Sequence, residues 1–138
     1  EFWEDDLAGY AAISNDHDVE LIFSVGLENE PSEIERALDL ARPKGLVYLA
    51  CAGATGGEMF DAKELSELAA SIKKRRPDVY LAGGLGVRTA EHVARLAAMP
   101  AVDAAIVGTA AIEAVGRSQA DFERYLDELG RALPRVGR

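Results

Sequence analysis

Cysteine, positive charge and long apolar runs are scarce in this sequence. The single cysteine, Cys51, cannot close an internal disulfide and fits a reducing compartment. With only two histidines beside it, His17 and His92, no metal-ligand spacing exists, so neither a metal site nor a cofactor is expected. Lys and Arg number 15 against 24 Asp and Glu, and the net charge of −9 excludes a broad nucleic-acid surface. It leaves room for a local anion site built from backbone N–H groups. No apolar stretch approaches the roughly 18 residues of a membrane span. The opening Glu1-Phe2-Trp3-Glu4-Asp5-Asp6 has neither the basic nor the apolar region of a signal peptide. A cytoplasmic protein with no membrane partner is therefore expected. The methionines are Met59 and Met99, so no initiator stands at the front. Trp3, Leu7, Tyr10 and Ala11 share one helical face with no capping residue ahead of it, which predicts that the chain starts at a cut edge inside a helix.

What is present is enough for one core: 138 residues, 49% of them hydrophobic, predict a single domain. The pattern after the first helix is a regular alternation. Glu20 to Val25 reads as a strand, and Pro31 to Arg42 as a helix with Ile34, Ala37, Leu38 and Ala41 inward. Gly45 to Ala50 is the second strand. Asp61 and Glu64 read as a capping box for a helix carrying Leu65, Leu68, Ala69 and Ile72. That helix closes on Lys73-Lys74-Arg75-Arg76, where basic residues favour the negative end of the helix dipole. Val79 to Ala82 is the third strand, and Thr89 opens a helix with Val93, Leu96 and Ala97 inward. Asp103 to Val107 is the fourth strand. A short helix over 110–115 follows, and Ser118 with Asp121 starts a last one with Phe122, Tyr125, Leu126 and Leu129 on one face.

Four strands alternating with helices, and apolar rather than alternating, point to strands buried on both faces and hence parallel. A full (β/α)8 barrel takes about 250 residues. This length is half of that, so the expected fold is α/β, a parallel (β/α) half barrel.

In such folds chemistry sits at the C-terminal strand ends. Three of the four ends carry glycine clusters: Gly53-Ala54-Thr55-Gly56, Gly84-Leu85-Gly86 and Gly108-Thr109. Glycine lets backbone N–H groups close on a ligand, and the short helix after Gly108 offers its N-terminus to an anion. These features together predict a phosphate cup. Neither a Rossmann fingerprint nor a P-loop lysine is present.

The segments carrying these glycines resemble the tryptophan synthase α subunit family. Gly45-Leu-Val-Tyr-Leu-Ala-Cys-Ala-Gly-Ala-Thr-Gly56 is similar to its sixth strand and following loop. Ala82-Gly-Gly-Leu-Gly86 and the helix start after it are similar to the seventh, and Asp103-Ala-Ala-Ile-Val-Gly-Thr109 to the eighth. Leu21 to Val25 would be the fifth. The resemblance implies the C-terminal four βα units of a TIM barrel, so that residues 1–138 form one partial domain truncated at its N-terminus. It implies a lyase of tryptophan biosynthesis that splits indole-3-glycerol phosphate into indole and glyceraldehyde 3-phosphate, and a possible tryptophan synthase β subunit as partner. By position, Gly56, Gly84, Gly86, Gly108 and Thr109 would bind the substrate's phosphate, and Tyr48 and Thr55 would flank the substrate. Thr109 stands where serine is usual, Leu85 where phenylalanine is usual, and Cys51-Ala52 where a Ser-Arg-like pair is usual. The family's catalytic carboxylates come from its second strand and the loop after it. That segment would precede residue 1, so no catalytic residue is assigned and the chain alone is expected to be inactive.

Glu28, Glu30 and Glu58 are read as solvated loop carboxylates, Cys51 as a buried inert thiol, and Asp103 as a residue of the stability face. Two rival readings remain. A phosphate-binding barrel such as geranylgeranylglyceryl phosphate synthase shares the last two strand-end patterns. A non-catalytic half barrel would pair with itself to cover its exposed edges.

Overall fold

A computed structural model describes residues 6–55 and 57–134. The elements run α1 (Asp6–Asp16), β1 (Phe23–Gly26), α2 (Pro31–Leu40), β2 (Leu46–Ala50), α3 (Ala62–Arg75), β3 (Tyr80–Gly84), α4 (Ala90–Ala97), β4 (Ala104–Ala105), α5 (Thr109–Arg117) and α6 (Gln119–Ala132). The four strands form one parallel sheet in chain order, β1-β2-β3-β4. This is the expected half barrel.

The register places Phe23, Val47 and Leu81 side by side, and next to them Val25, Leu49 and Gly83. With a side-chain period of two, these rows point to one face. That face meets the helices. Ala37 and Leu38 of α2, Leu65, Ala69 and Ile72 of α3, and Val93 and Leu96 of α4 pack onto it. Each fully buried leucine or isoleucine there contributes roughly 1.5–3 kcal/mol over an exposed one. Gly83 is part of this fit. A Cβ on it would lie 2.8 Å from both Leu96 methyls, so the missing side chain is what lets α4 lie on β3.

The opposite face is only partly covered, which corrects the premise of burial on both sides. Ile22 is 53% exposed and Tyr80 57%, and Ser24 and Ala104 are exposed as well. In a closed barrel this side is the packed interior. Four strands curve only halfway round it.

Two strands are shorter than their apolar runs, and at the start of each an acidic side chain accepts a neighbouring strand's N–H. Glu20 lies before β1, and its carboxylate accepts the Leu46 N–H at 3.0 Å. Asp103 lies before β4, and its carboxylate accepts the Leu81 N–H at 2.7 Å. The Ile106 N–H still donates to Gly83 O at 2.8 Å, so β4 pairs slightly beyond its two residues.

The helix starts follow their caps with differences. Asp61 accepts from the Lys63 and Glu64 N–H groups and Thr89 from the His92 N–H. Ser118 accepts from the Asp121 N–H, and its hydroxyl donates to the Asp121 carboxylate. For α2 the Glu30 N–H donates to the Glu33 carboxylate at 2.9 Å, a cap not foreseen in the sequence. The face predicted for the first helix is only half realised. Leu7 packs on the core, Tyr10 is exposed, and Trp3 lies outside the described residues. Helix α6 buries no side chain fully, although Leu129 touches the core.

Candidate functional site

The loops after β2, β3 and β4 meet at the C-terminal end of the sheet. They enclose a cavity of about 200 Å³ lined by Tyr48, Thr55, Leu85, Gly86, Val87, Arg88, Ile106, Gly108 and Thr109. Five of the residues expected from the sequence are thus brought together: Tyr48, Thr55, Gly86, Gly108 and Thr109. Gly84 sits beside the cavity rather than on its wall, because the Tyr48 ring lies over it. A Cβ on Gly84 would fall within 2.7 Å of three Tyr48 atoms. Gly56 lies outside the described residues.

The loop after β3 has an unusual backbone. Leu85 has φ +56° and Gly86 φ +82°, two successive left-handed residues. Glycine takes this conformation freely, whereas a leucine there costs about 1–2 kcal/mol. The turn is held from outside. The His92 Nδ1 lies 3.0 Å from Gly86 O and 3.3 Å from the Arg88 N. The Tyr125 hydroxyl donates to Arg88 O at 2.7 Å, tying α6 to the loop. Gly86 also has a steric reason to be glycine: a Cβ would lie 2.7 Å from the Ala52 Cβ.

Gly108 is different. It is the N-cap of α5, its φ is −109°, and a Cβ would meet no atom within 4 Å. The protein's own packing does not demand glycine here. The first turn of α5 directs its free N–H groups toward this end, and Thr109 adds a hydroxyl.

Burial raises the Tyr48 phenol above its ordinary value, with the Leu85 backbone pulling the other way. The phenol is therefore neutral at neutral pH and does not repel an anion. Burial also pushes the Cys51 thiol up to about 11. It is a protonated, fully buried core group whose Sγ lies 3.4 Å from Leu49 O, which agrees with the reading of an inert thiol.

The remaining candidates fall outside the cavity lining. Glu28 is exposed and lies against Gly53, Glu30 caps α2, and Glu58 is exposed. Asp103 is at the opposite end of the sheet, paired with Lys73 at 2.6 Å, as a stability-face residue should be. No group of three or more potential metal ligands occurs among the described residues. No helix of the described residues is long and apolar enough to cross a membrane.

The sequence reading assigned no role at the site to Arg88, His92, Glu113 or Tyr125. Arg88 reaches the cavity and bonds Glu113 at 2.7 Å. The sole hint was the position of Arg88 two residues after a strand-end glycine. Its partners stand 25 and 37 residues away, and no local pattern encodes them.

Comparison with known proteins agrees with this architecture. The family model described as tryptophan synthase alpha chain matches residues 4–133. The tryptophan synthase alpha chain of Mycobacteroides abscessus is 30% identical over 133 residues, covering 96% of this chain and 49% of that relative. The one from Novosphingobium aromaticivorans is 35% identical over 88 residues, covering 64% of this chain and 32% of that relative. A crystal structure of tryptophan synthase from M. tuberculosis superposes with a TM-score of 0.72 at 25% identity, over 96% of this chain and 48% of that one. The chain spans about half the length of the curated relatives it matches. With the half barrel, the glycine order at its strand ends and a family match across nearly all residues, the chain belongs to the tryptophan synthase alpha chain family.

Proposed function

We propose that residues 1–138 are one partial TIM-barrel domain, the phosphate-binding half of a lyase that cleaves indole-3-glycerol phosphate into indole and glyceraldehyde 3-phosphate in tryptophan biosynthesis. The observation that carries this is the convergence of Tyr48, Thr55, Gly86, Gly108 and Thr109 on one cavity at the C-terminal strand ends. The N–H groups of Gly86, Gly108 and Thr109 hold the phosphate, and the same reading, by sequence position, counts Gly56 and Gly84 among its ligands. Tyr48 and Thr55 flank the rest of the substrate. The empty space around Gly108 supports this role, because it leaves the backbone open to close approach.

Cleavage needs an acid to protonate the indole carbon and a base to take a hydroxyl proton as the carbon–carbon bond breaks. The cavity wall offers no carboxylate among its described residues. The chain alone therefore binds the phosphate end and does not turn the substrate over. A tryptophan synthase β subunit as partner and a cytoplasmic location follow from the same reading. Family membership favours it over the prenyl-transferring barrel.

The test is indole release from indole-3-glycerol phosphate by the purified chain, with glycerol 3-phosphate binding measured alongside. Binding without indole release is expected. Robust indole release would falsify the assignment of a non-catalytic half. Absence of binding would remove the phosphate cup.

A further inference from the structure

Among the described lining residues of the cup, Arg88 is the one that carries charge. It sits there with Gly86, Gly108 and Thr109, yet its guanidinium is turned to Glu113, Nη2 to Oε2 at 2.7 Å. Glu113 lies on α5 four residues beyond Thr109, on the same side of the helix, about 6 Å along the axis from that first turn. The guanidinium is thus parked roughly one helical turn from the N–H groups that face the cup. Both side chains are partly exposed, 36% and 47%, so water screens the pair and holds it weakly. The Arg88 backbone is fixed, its N–H at the His92 ring and its carbonyl on the Tyr125 hydroxyl. Only the side chain is left to move.

We propose that Arg88 is a phosphate-binding residue that leaves Glu113 for the bound phosphate group, and that Glu113 competes with the ligand for it. This rests on the phosphate reading of the cup and adds a charged arm to a site otherwise made of backbone and hydroxyl groups. A phosphate monoester carries up to two negative charges, against one on Glu113. Its oxygens also match the two-pronged guanidinium. The exchange selects a dianionic phosphate over a singly charged carboxylate.

The experiment titrates the full chain with inorganic phosphate and, separately, with glycerol 3-phosphate, following the amide signals of Gly86, Gly108 and Thr109. Arg88→Gln is expected to weaken both probes about tenfold, with Arg88→Lys in between. Glu113→Gln is expected to tighten both about threefold. In the Arg88→Gln background, Glu113→Gln should change nothing. Urea unfolding of each variant checks that it is folded. A purely structural ion pair predicts instead that both single variants loosen the loop and weaken binding together, which overturns the proposal. If the wild-type amides respond but all variants bind alike, the Arg88 role alone falls. If the wild-type amides respond to neither probe, the phosphate reading falls and this inference with it.

Discussion

The two ends of the sheet face the same difficulty, backbone groups that the ladder leaves unpaired, and meet it with opposite materials. At the N-terminal end, charged side chains do the pairing. Glu20, Asp78 and Asp103 accept the N–H groups of Leu46, Lys44 and Leu81. Arg76 donates to the carbonyls of Leu38, Ala41 and Arg42 while holding Asp78 at 2.8 Å. Lys73 pairs with Asp103 and also donates to Val79 O. The basic tract read as a dipole-favouring helix end is thus also a set of cross-links from α3 to its neighbours. At the C-terminal end, Gly86, Gly108 and Thr109 line a cavity instead, and the first N–H groups of α5 have no partner within the helix. One end satisfies its polar groups with the chain's own side chains. On the proposed function, the other keeps them for a ligand.

This contrast can be broken from either side. The largest expected effect is at the N-terminal end. Arg76→Ala strands three carbonyls and Asp78, and should lower unfolding stability by roughly 2–4 kcal/mol in urea while leaving phosphate affinity unchanged. A loss of affinity as large as the loss of stability would show that the ends are not independent.

The same pair sets the acid response. The hydrogen bond from Arg76 holds the Asp78 carboxyl well below the usual carboxylate range. Its folded-state value is therefore lower than its unfolded one, near 4. The stability it contributes is fully present above that value and is lost as pH falls through it toward the folded value. Thermal melts from pH 6 to pH 2 should show a decline that Asp78→Asn flattens.

At mid-sheet, Gly83→Ala drives a Cβ against the Leu96 methyls and the Cys51 Sγ. A cost of about 1–3 kcal/mol is expected, measured by urea unfolding. At the C-terminal end the sign reverses. Leu85→Gly relieves a left-handed leucine but adds freedom to the unfolded chain, so stability should rise by less than about 1 kcal/mol. The smallest effect is at Cys51. With its thiol raised to about 11, iodoacetamide should label it at neutral pH only after denaturation. Rapid labelling of the folded chain would show that the sheet end opens.

Much of this was legible in the residues. The alternation of apolar strand and helix patterns gave the element order, and the strand-end glycines marked the end of the sheet where a cavity lies. Three things were not legible. The starts of β1 and β4 were hidden, because there the Glu20 and Asp103 carboxylates take N–H groups of the neighbouring strands, Leu46 and Leu81. The Tyr48 ring over Gly84 was hidden, because it brings together residues of two neighbouring strands. The Arg88–Glu113 and Tyr125–Arg88 contacts join residues 25 and 37 apart, across two different helices.

By itself, then, the sequence determined what depends on neighbours along the chain: periodicity, caps, turn glycines, net charge and the family those patterns belong to. Tertiary structure decided which glycines face a cavity and which face a ring, and where each charged side chain finds its partner. It also left one face of the sheet open. The physical reason is range. Backbone preference and hydrophobic period act over a few residues. Steric fit and charge pairing act through space, between segments that only the fold brings within a few ångströms.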